Sequence, residues 1–228
     1  MRGGNKVVNI LLESFDIDAE YLRPELEKYI KRGNKVVIIA FSFRDREVLN
    51  KDDWDALYSR EHGKYYWGMV RPFEAFGITE DDIEFINYCT DTHESAVQKI
   101  NNADIIYFPG GLPDRMMDRI NEFGMRGVLM QHDGVVMGFS AGAVIQMDEY
   151  HLSPDDDYAE FSYYNGLPYL RDFYLEVHYE GTETQDCAIH RVLTERKQTV
   201  YATACGKGAI LVAEGKIKLL GEVKTFHP

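Results

Sequence analysis

Apolar residues in this chain are concentrated in short solid runs, separated by stretches where polar and apolar positions mix with a helical period. Lys6 to Leu12 (KVVNILL), Lys35 to Phe41 (KVVIIAF) and Asp104 to Phe108 (DIIYF) carry no polar–apolar alternation. Strands covered on both faces have this pattern, as in a parallel sheet. Ile83 to Tyr88 reads as a further strand. Between the runs, Asp18 to Arg32 places Tyr21, Leu22, Leu26, Tyr29 and Ile30 on one helical stripe that Gly33 stops. Glu94 to Asn101 and Asp114 to about Arg126 also read as helices. Strand, helix, strand in succession predicts right-handed βαβ units. Towards the end, Leu175 to Tyr179 alternates like a strand and Thr184 to Glu195 is helical. Thr199 to Thr203 is a strand, and Ile210 to Leu220 is a hairpin turning at Glu214-Gly215. No repeat, low-complexity tract or linker intervenes, so residues 1–228 read as one α/β domain.

Two segments stand out from this rhythm. Asp52 to Phe76 crowds Trp54, Leu57, Tyr58, Tyr65, Tyr66, Trp67, Met69, Val70, Phe73 and Phe76 onto a long helical pattern, ended by Gly77 and interrupted at Gly63 and Gly68. It reads either as a helix packed on the sheet or as an aromatic wall beside a pocket or homodimer face. Asp148 to Gly166 is an acidic, aromatic loop with Asp155, Asp156, Asp157, Tyr158, Phe161, Tyr163 and Tyr164; irregular loops of this length are usually functional or mobile.

The chemistry gathers at Val135 to Val144 (VVMGFSAGAV). A β-branched run leads into Gly138-Phe139-Ser140-Ala141-Gly142, and small residues then open a helix. This is G-x-S-x-G in the strand–turn–helix context of a nucleophile elbow, with glycines where side chains would clash. The competing reading is an ordinary buried serine in a tight turn. Upstream, the strand at Asp104 to Phe108 runs into Pro109-Gly110-Gly111-Leu112-Pro113, at the strand end where open α/β sheets bind ligands. Gly110 or Gly111 is read there as an oxyanion N–H donor, against a plain turn. No G-x-x-x-x-G-K-[ST] is present, which disfavours a phosphate loop.

Composition narrows the partners. Lys plus Arg number 25 against 38 Asp plus Glu, a net charge of −13, which argues against nucleic-acid and anionic-membrane surfaces. No stretch of about 18 apolar residues and no secretory pattern occurs. Cys89, Cys187 and Cys205 lie far apart, as expected of reduced thiols in a cytoplasmic protein. The histidines show no metal-ligand spacing, and neither a metal nor a cofactor is expected.

The Gly-Gly loop, the Gly138-Phe139-Ser140-Ala141-Gly142-Ala143 turn and a later strand histidine, His178, occur in the order and spacing of one family. Over nearly its whole length the chain resembles the peptidase E family, the aspartyl dipeptidases related to cyanophycinase. The resemblance implies a three-layer αβα fold with a mostly parallel sheet, flavodoxin-like (class I glutamine amidotransferase-like) topology and a C-terminal β-hairpin. It implies a serine peptidase acting on a small peptide or related amide, with Ser140 as nucleophile and His178 as base. The N–H groups of Ala141 and the Gly110-Gly111 loop would form the oxyanion hole, and Asp155 falls where some relatives carry an aspartate near the site. An adjacent base and an orienting third group are what a serine hydroxyl needs to attack.

The chain departs from the family in two places. The usual triad glutamate is expected just after the strand at Thr199 to Ala204, where the sequence reads Ala204-Cys205-Gly206-Lys207. Asp155, Asp156, Glu180, Glu183 and Asp186 are the substitutes, and a catalytically impaired or ligand-binding member is the competing expectation. Cys205 reads as a small buried filler rather than a second nucleophile. The helix after His178 carries Thr184-Gln185-Asp186-Cys187-Ala188, with no arginine before Arg191, so the carboxylate clamp of an aspartyl dipeptidase is missing. Glutamine amidotransferase chemistry is disfavoured because those enzymes place a cysteine where Ser140 stands.

Overall fold

The computed structural model describes residues 7–228. In chain order, β1 (Val8–Leu12) and the short α1 (Arg23–Leu26) precede β2 (Val36–Ile38). Next come α2 (Lys51–Tyr58), α3 (Tyr66–Val70), β3 (Ile83–Phe85), α4 (His93–Asn102) and β4 (Ile105–Phe108). Helices α5 (Pro113–Glu122) and α6 (Arg126–Leu129) lead to β5 (Val135–Phe139) and α7 (Ala141–Val144). The rest is β6 (Glu149–Leu152), β7 (Ser162–Asn165), β8 (Phe173–Tyr179), α8 (Glu183–Arg196), β9 (Thr199–Ala213) and β10 (Lys216–Phe226).

The solid apolar runs form the parallel centre of the sheet, in the order β3-β2-β4-β5-β1. Both faces are covered, and the side chains of Ile10, Leu11, Ile38, Ile105, Ile106, Val136 and Met137 are fully buried. β9 then pairs antiparallel with β1 and with β10, while β8 lies parallel to β9. Flanking helices complete the mostly parallel α/β architecture, with its C-terminal hairpin turning at Glu214-Gly215, both at positive φ.

The length of β9 places the site. Its second half pairs with β1, from Ala209 opposite Leu12 to Val212 opposite Asn9. Its first half continues past the carboxyl end of β1 and there carries β8, with Phe173 opposite Thr199 and Tyr179 opposite Ala204. β8 is therefore held beyond the carboxyl ends of β1 and β5, and His178 near its end returns towards them. The sequence suggested two separate strands here, but β10 pairs across both halves and makes β9 continuous.

Several other elements differ from the apolar pattern. The stripe at Asp18 to Arg32 forms one helical turn flanked by turns, with Pro24 at its start, although Leu22, Leu26 and Ile30 are buried as expected. Asp52 to Phe76 is three pieces: α2, α3 and a 3-10 turn over Arg71–Phe76 that Gly77 closes at φ 73°. The first break lies near Gly63, whereas Gly68 sits inside α3. Trp54, Tyr58, Tyr66, Phe73 and Phe76 are buried, so most of this aromatic segment is core. Phe73 meets Tyr107 edge-on, and Phe15 stacks on Tyr107 with centroids 4.2 Å apart. Such pairs add about 0.5–1.5 kcal/mol beyond burial. The acidic loop also has structure, since β6 and β7 pair into an antiparallel ribbon. Among the described residues no helix is long and apolar enough to cross a membrane.

His132, in the turn before β5, has its pKa lowered by burial, and among the described residues its Nε2 has no hydrogen-bond partner. The folded state resists protonating it, whereas the unfolded chain takes up the proton near 6.5. Stability is therefore complete above that value and falls as the pH drops below it. Thermal melts across this range should show a pH slope that becomes shallower in His132→Gln; equal slopes would contradict the assignment.

Candidate active site

The strand–turn–helix motif forms a strained turn. Ser140 has φ 51° and ψ −117°, a region that costs a non-glycine residue about 1–3 kcal/mol. Its N–H donates to the Leu12 carbonyl at 3.0 Å, and its carbonyl accepts the N–H of Ala143 at 2.9 Å. The flanking glycines are required by packing: a Cβ on Gly138 would press on the Gly142 carbonyl, and one on Gly142 on the Phe108 carbonyl. Buried Gln146 locks α7 to β1, donating to the Gly142 carbonyl at 3.0 Å and accepting from Asn9 at 3.0 Å.

His178 reaches this turn from β8. It has φ 53° in a stretch where the β8–β9 register shifts, a kink that re-aims the strand's end. Its Nε2 lies 2.8 Å from Ser140 Oγ and its Nδ1 2.5 Å from Glu13 Oε1. Gln185, at the start of α8, donates to the His178 carbonyl at 2.9 Å and steadies the kink.

The carboxylate against His178 is thus Glu13, directly after β1, and not the Asp155 suggested by the sequence. Glu13 is 2 % exposed, and its second oxygen accepts the N–H of Gly206. The Ala204-Cys205-Gly206-Lys207 stretch of β9 has no carboxylate of its own but offers a backbone donor to one brought by another strand. Asp155 lines a cavity together with Ser140 and His178, with Oδ1 accepting the N–H groups of Asp157 and Tyr158 at 2.8 Å. A carboxylate ending β1, beside the elbow strand, was the signal available in the sequence.

Cys205 is exposed rather than buried, and the Glu13 charge beside it pushes its thiol pKa up, away from the reactive thiolate. Among the described residues, Glu13, His178 and Cys205 offer donor atoms within 4.8 Å of one another, a grouping that could hold a metal ion.

The Gly110-Gly111 loop faces the turn. Gly111 has φ 135°, and a Cβ there would lie 2.5 Å from the Ser42 carbonyl, so only glycine fits. Ser42 anchors the loop: its Oγ donates to the Gly110 carbonyl at 2.5 Å, and its carbonyl accepts the Leu112 N–H at 2.8 Å. Arg119 of α5 in turn fixes the segment carrying Ser42, donating to the Phe41 and Phe43 carbonyls at 2.6 and 2.7 Å. Gly111, Ser140, Ala141 and His178 line one cavity of about 210 Å³. Gly110 lies behind it, against the Phe139 ring. The Ala141 N–H opens α7, where helical amides lack an intrahelical acceptor.

This α/β sheet, with a nucleophile-elbow turn at its carboxyl edge, defines the class of protein. The model of peptidase family S51 matches residues 55–220, and the chain belongs to that family. Two solved structures share the fold. One is a Listeria monocytogenes EGD-e protein provisionally assigned to peptidase E, at 20 % identity and a TM-score of 0.62, covering 97 % of this chain and 98 % of that one. The other is a peptidase from an acI-B1 Actinobacterium, at 16 % identity and a TM-score of 0.62, covering 96 % and 93 %. No curated protein matches the chain.

If Glu13 orients His178, Glu13→Gln should slow phosphonylation of Ser140 by about 10³- to 10⁴-fold, the scale on which an orienting acid acts. Asp155→Asn should react at the wild-type rate. Labelling kinetics with a fluorophosphonate check both, and the reverse order would assign the role to Asp155.

Proposed function

We propose that this chain is a serine hydrolase that cleaves a small peptide or related amide through an acyl-enzyme on Ser140. The observation that carries the reading is the continuous hydrogen-bond chain from Ser140 Oγ through His178 to Glu13. Glu13, accepting at Nδ1, keeps that nitrogen protonated, which leaves Nε2 free to take the Ser140 proton. As Oγ attacks the carbonyl carbon, the imidazolium is stabilised by a carboxylate already held in place. The N–H groups of Gly111 and Ala141 receive the developing oxyanion, with Ser42 anchoring the Gly110-Gly111 loop through the Gly110 carbonyl. His178 then passes the proton from Nε2 to the leaving amine, and the C–N bond breaks. Water deprotonated by His178 attacks the acyl-enzyme, the acid is released and Oγ regains its proton. Half of the His178 side-chain surface is open, which gives that water access.

Membership of family S51 supports a peptidase-like hydrolase, and the exposed unpaired cysteines favour a reducing, cytoplasmic setting. A fluorophosphonate should label the wild type and fail on Ser140→Ala and His178→Ala. A folded wild type that takes no label would replace this reading with a ligand-binding protein on the same fold.

A further inference from the structure

Glu176 lies two residues before His178 on β8 and is only 5 % exposed. Its carboxylate accepts Ser153 Oγ at 2.9 and 2.8 Å, and lies 2.7 Å from His151 Nε2. Among the described residues no lysine or arginine pairs with it; its one ion-pair partner is the His151 imidazole. A buried carboxylate without a cation is costly, so such groups are normally paired. His151 is itself 2 % exposed, and among the described residues its Nδ1 has no hydrogen-bond partner. With Nε2–H donating to Glu176, the neutral ring leaves Nδ1 as an unsatisfied acceptor.

Glu176, His151 and Ser153 all line the cavity that holds Ser140, Gly111 and Ala141. Asp155 lines it as well, and among the described residues no lysine or arginine does. The lining thus joins two carboxylates and the His151 ring and lacks a fixed positive charge. A substrate carboxylate would meet like charge there. An ammonium or guanidinium would supply a counter-ion for the Glu176 carboxylate.

We infer that this cavity selects a basic side chain, lysine or arginine, in the peptide cleaved at Ser140, with Glu176 as its counter-ion. The inference rests on the hydrolase reading for the cleavage and on the cavity lining for the choice of side chain. The Ser153 hydroxyl and the His151 ring hold the carboxylate in one orientation, and Phe161 stacks on that ring with centroids 5.7 Å apart.

The test is a panel of dipeptides pairing alanine with arginine, lysine, leucine or aspartate in both orders. Wild-type kcat/KM should be about tenfold or more higher for the basic members than for the leucine ones, with the aspartyl members lowest, as charge complementarity in a desolvated site gives. Glu176→Gln should raise KM for the basic members and leave the leucine members less affected. A wild type that takes fluorophosphonate yet prefers aspartyl peptides would overturn the assignment and make His151 an imidazolium receptor for carboxylates. Equal rates across the panel would also overturn it, leaving the hydrolase reading intact. Should the wild type take no fluorophosphonate, calorimetry of the same dipeptides with the same protein decides separately: tighter binding of the basic members upholds the cavity assignment, and its absence rejects it.

Discussion

The site depends on one buried charge. Glu13 has left water at the carboxyl end of β1, and a buried carboxylate is stable only when its oxygens have partners. The two that it has come from different parts of the sheet: His178 at the kinked end of β8, and the Gly206 amide in the middle of β9. Satisfying Glu13 therefore brings β8 and β9 together over the carboxyl edge of β1. Neighbouring β5 presents Ser140 at the same edge, its N–H tied to the Leu12 carbonyl one residue before Glu13. A single polar requirement thus sets the spacing of Ser140, His178 and Glu13.

A second line of support runs from the opposite flank. Arg119, buried on α5, fixes the segment after β2; Ser42 in that segment fixes the Gly110-Gly111 loop, and the loop fixes the wall facing Ser140. Both lines end on backbone groups, so the strained Ser140 turn is held by main-chain hydrogen bonds and close packing at Gly138 and Gly142 rather than by its own preference. Strain of this kind persists only where the surroundings over-determine it.

Much of this was legible in the sequence, for identifiable reasons. The solid apolar runs marked β1, β2, β4 and β5 because strands buried on both faces have no polar side to show. G-x-S-x-G marked the elbow because its glycines answer a steric need visible in the spacing. The third residue of the hydrogen-bond chain was hidden because it lies far from His178 in sequence, and a glutamate ending an apolar run looks like a solvated strand end. Gly206 sits where the acid was expected and contributes an amide instead. The Glu176–His151–Ser153 group was hidden for a similar reason: its partners come from β8 and from β6 with the residue just beyond it, the latter within a segment that reads as a loop. Pairing across such a ribbon follows from tertiary packing that period and composition do not record. Likewise Asp18 to Arg32 buries its apolar stripe with little helix, since packing and not propensity decides a segment that short.

The most direct test of the central claim is the tautomer of His178, read by nitrogen NMR of a labelled imidazole at neutral pH in the folded wild type. A Glu13–His178 hydrogen bond of the observed geometry predicts a proton on Nδ1 with Nε2 unprotonated, and loss of that preference in Glu13→Ala. An Nε2-protonated ring in the wild type, or an Nδ1 proton indifferent to Glu13, would contradict the account.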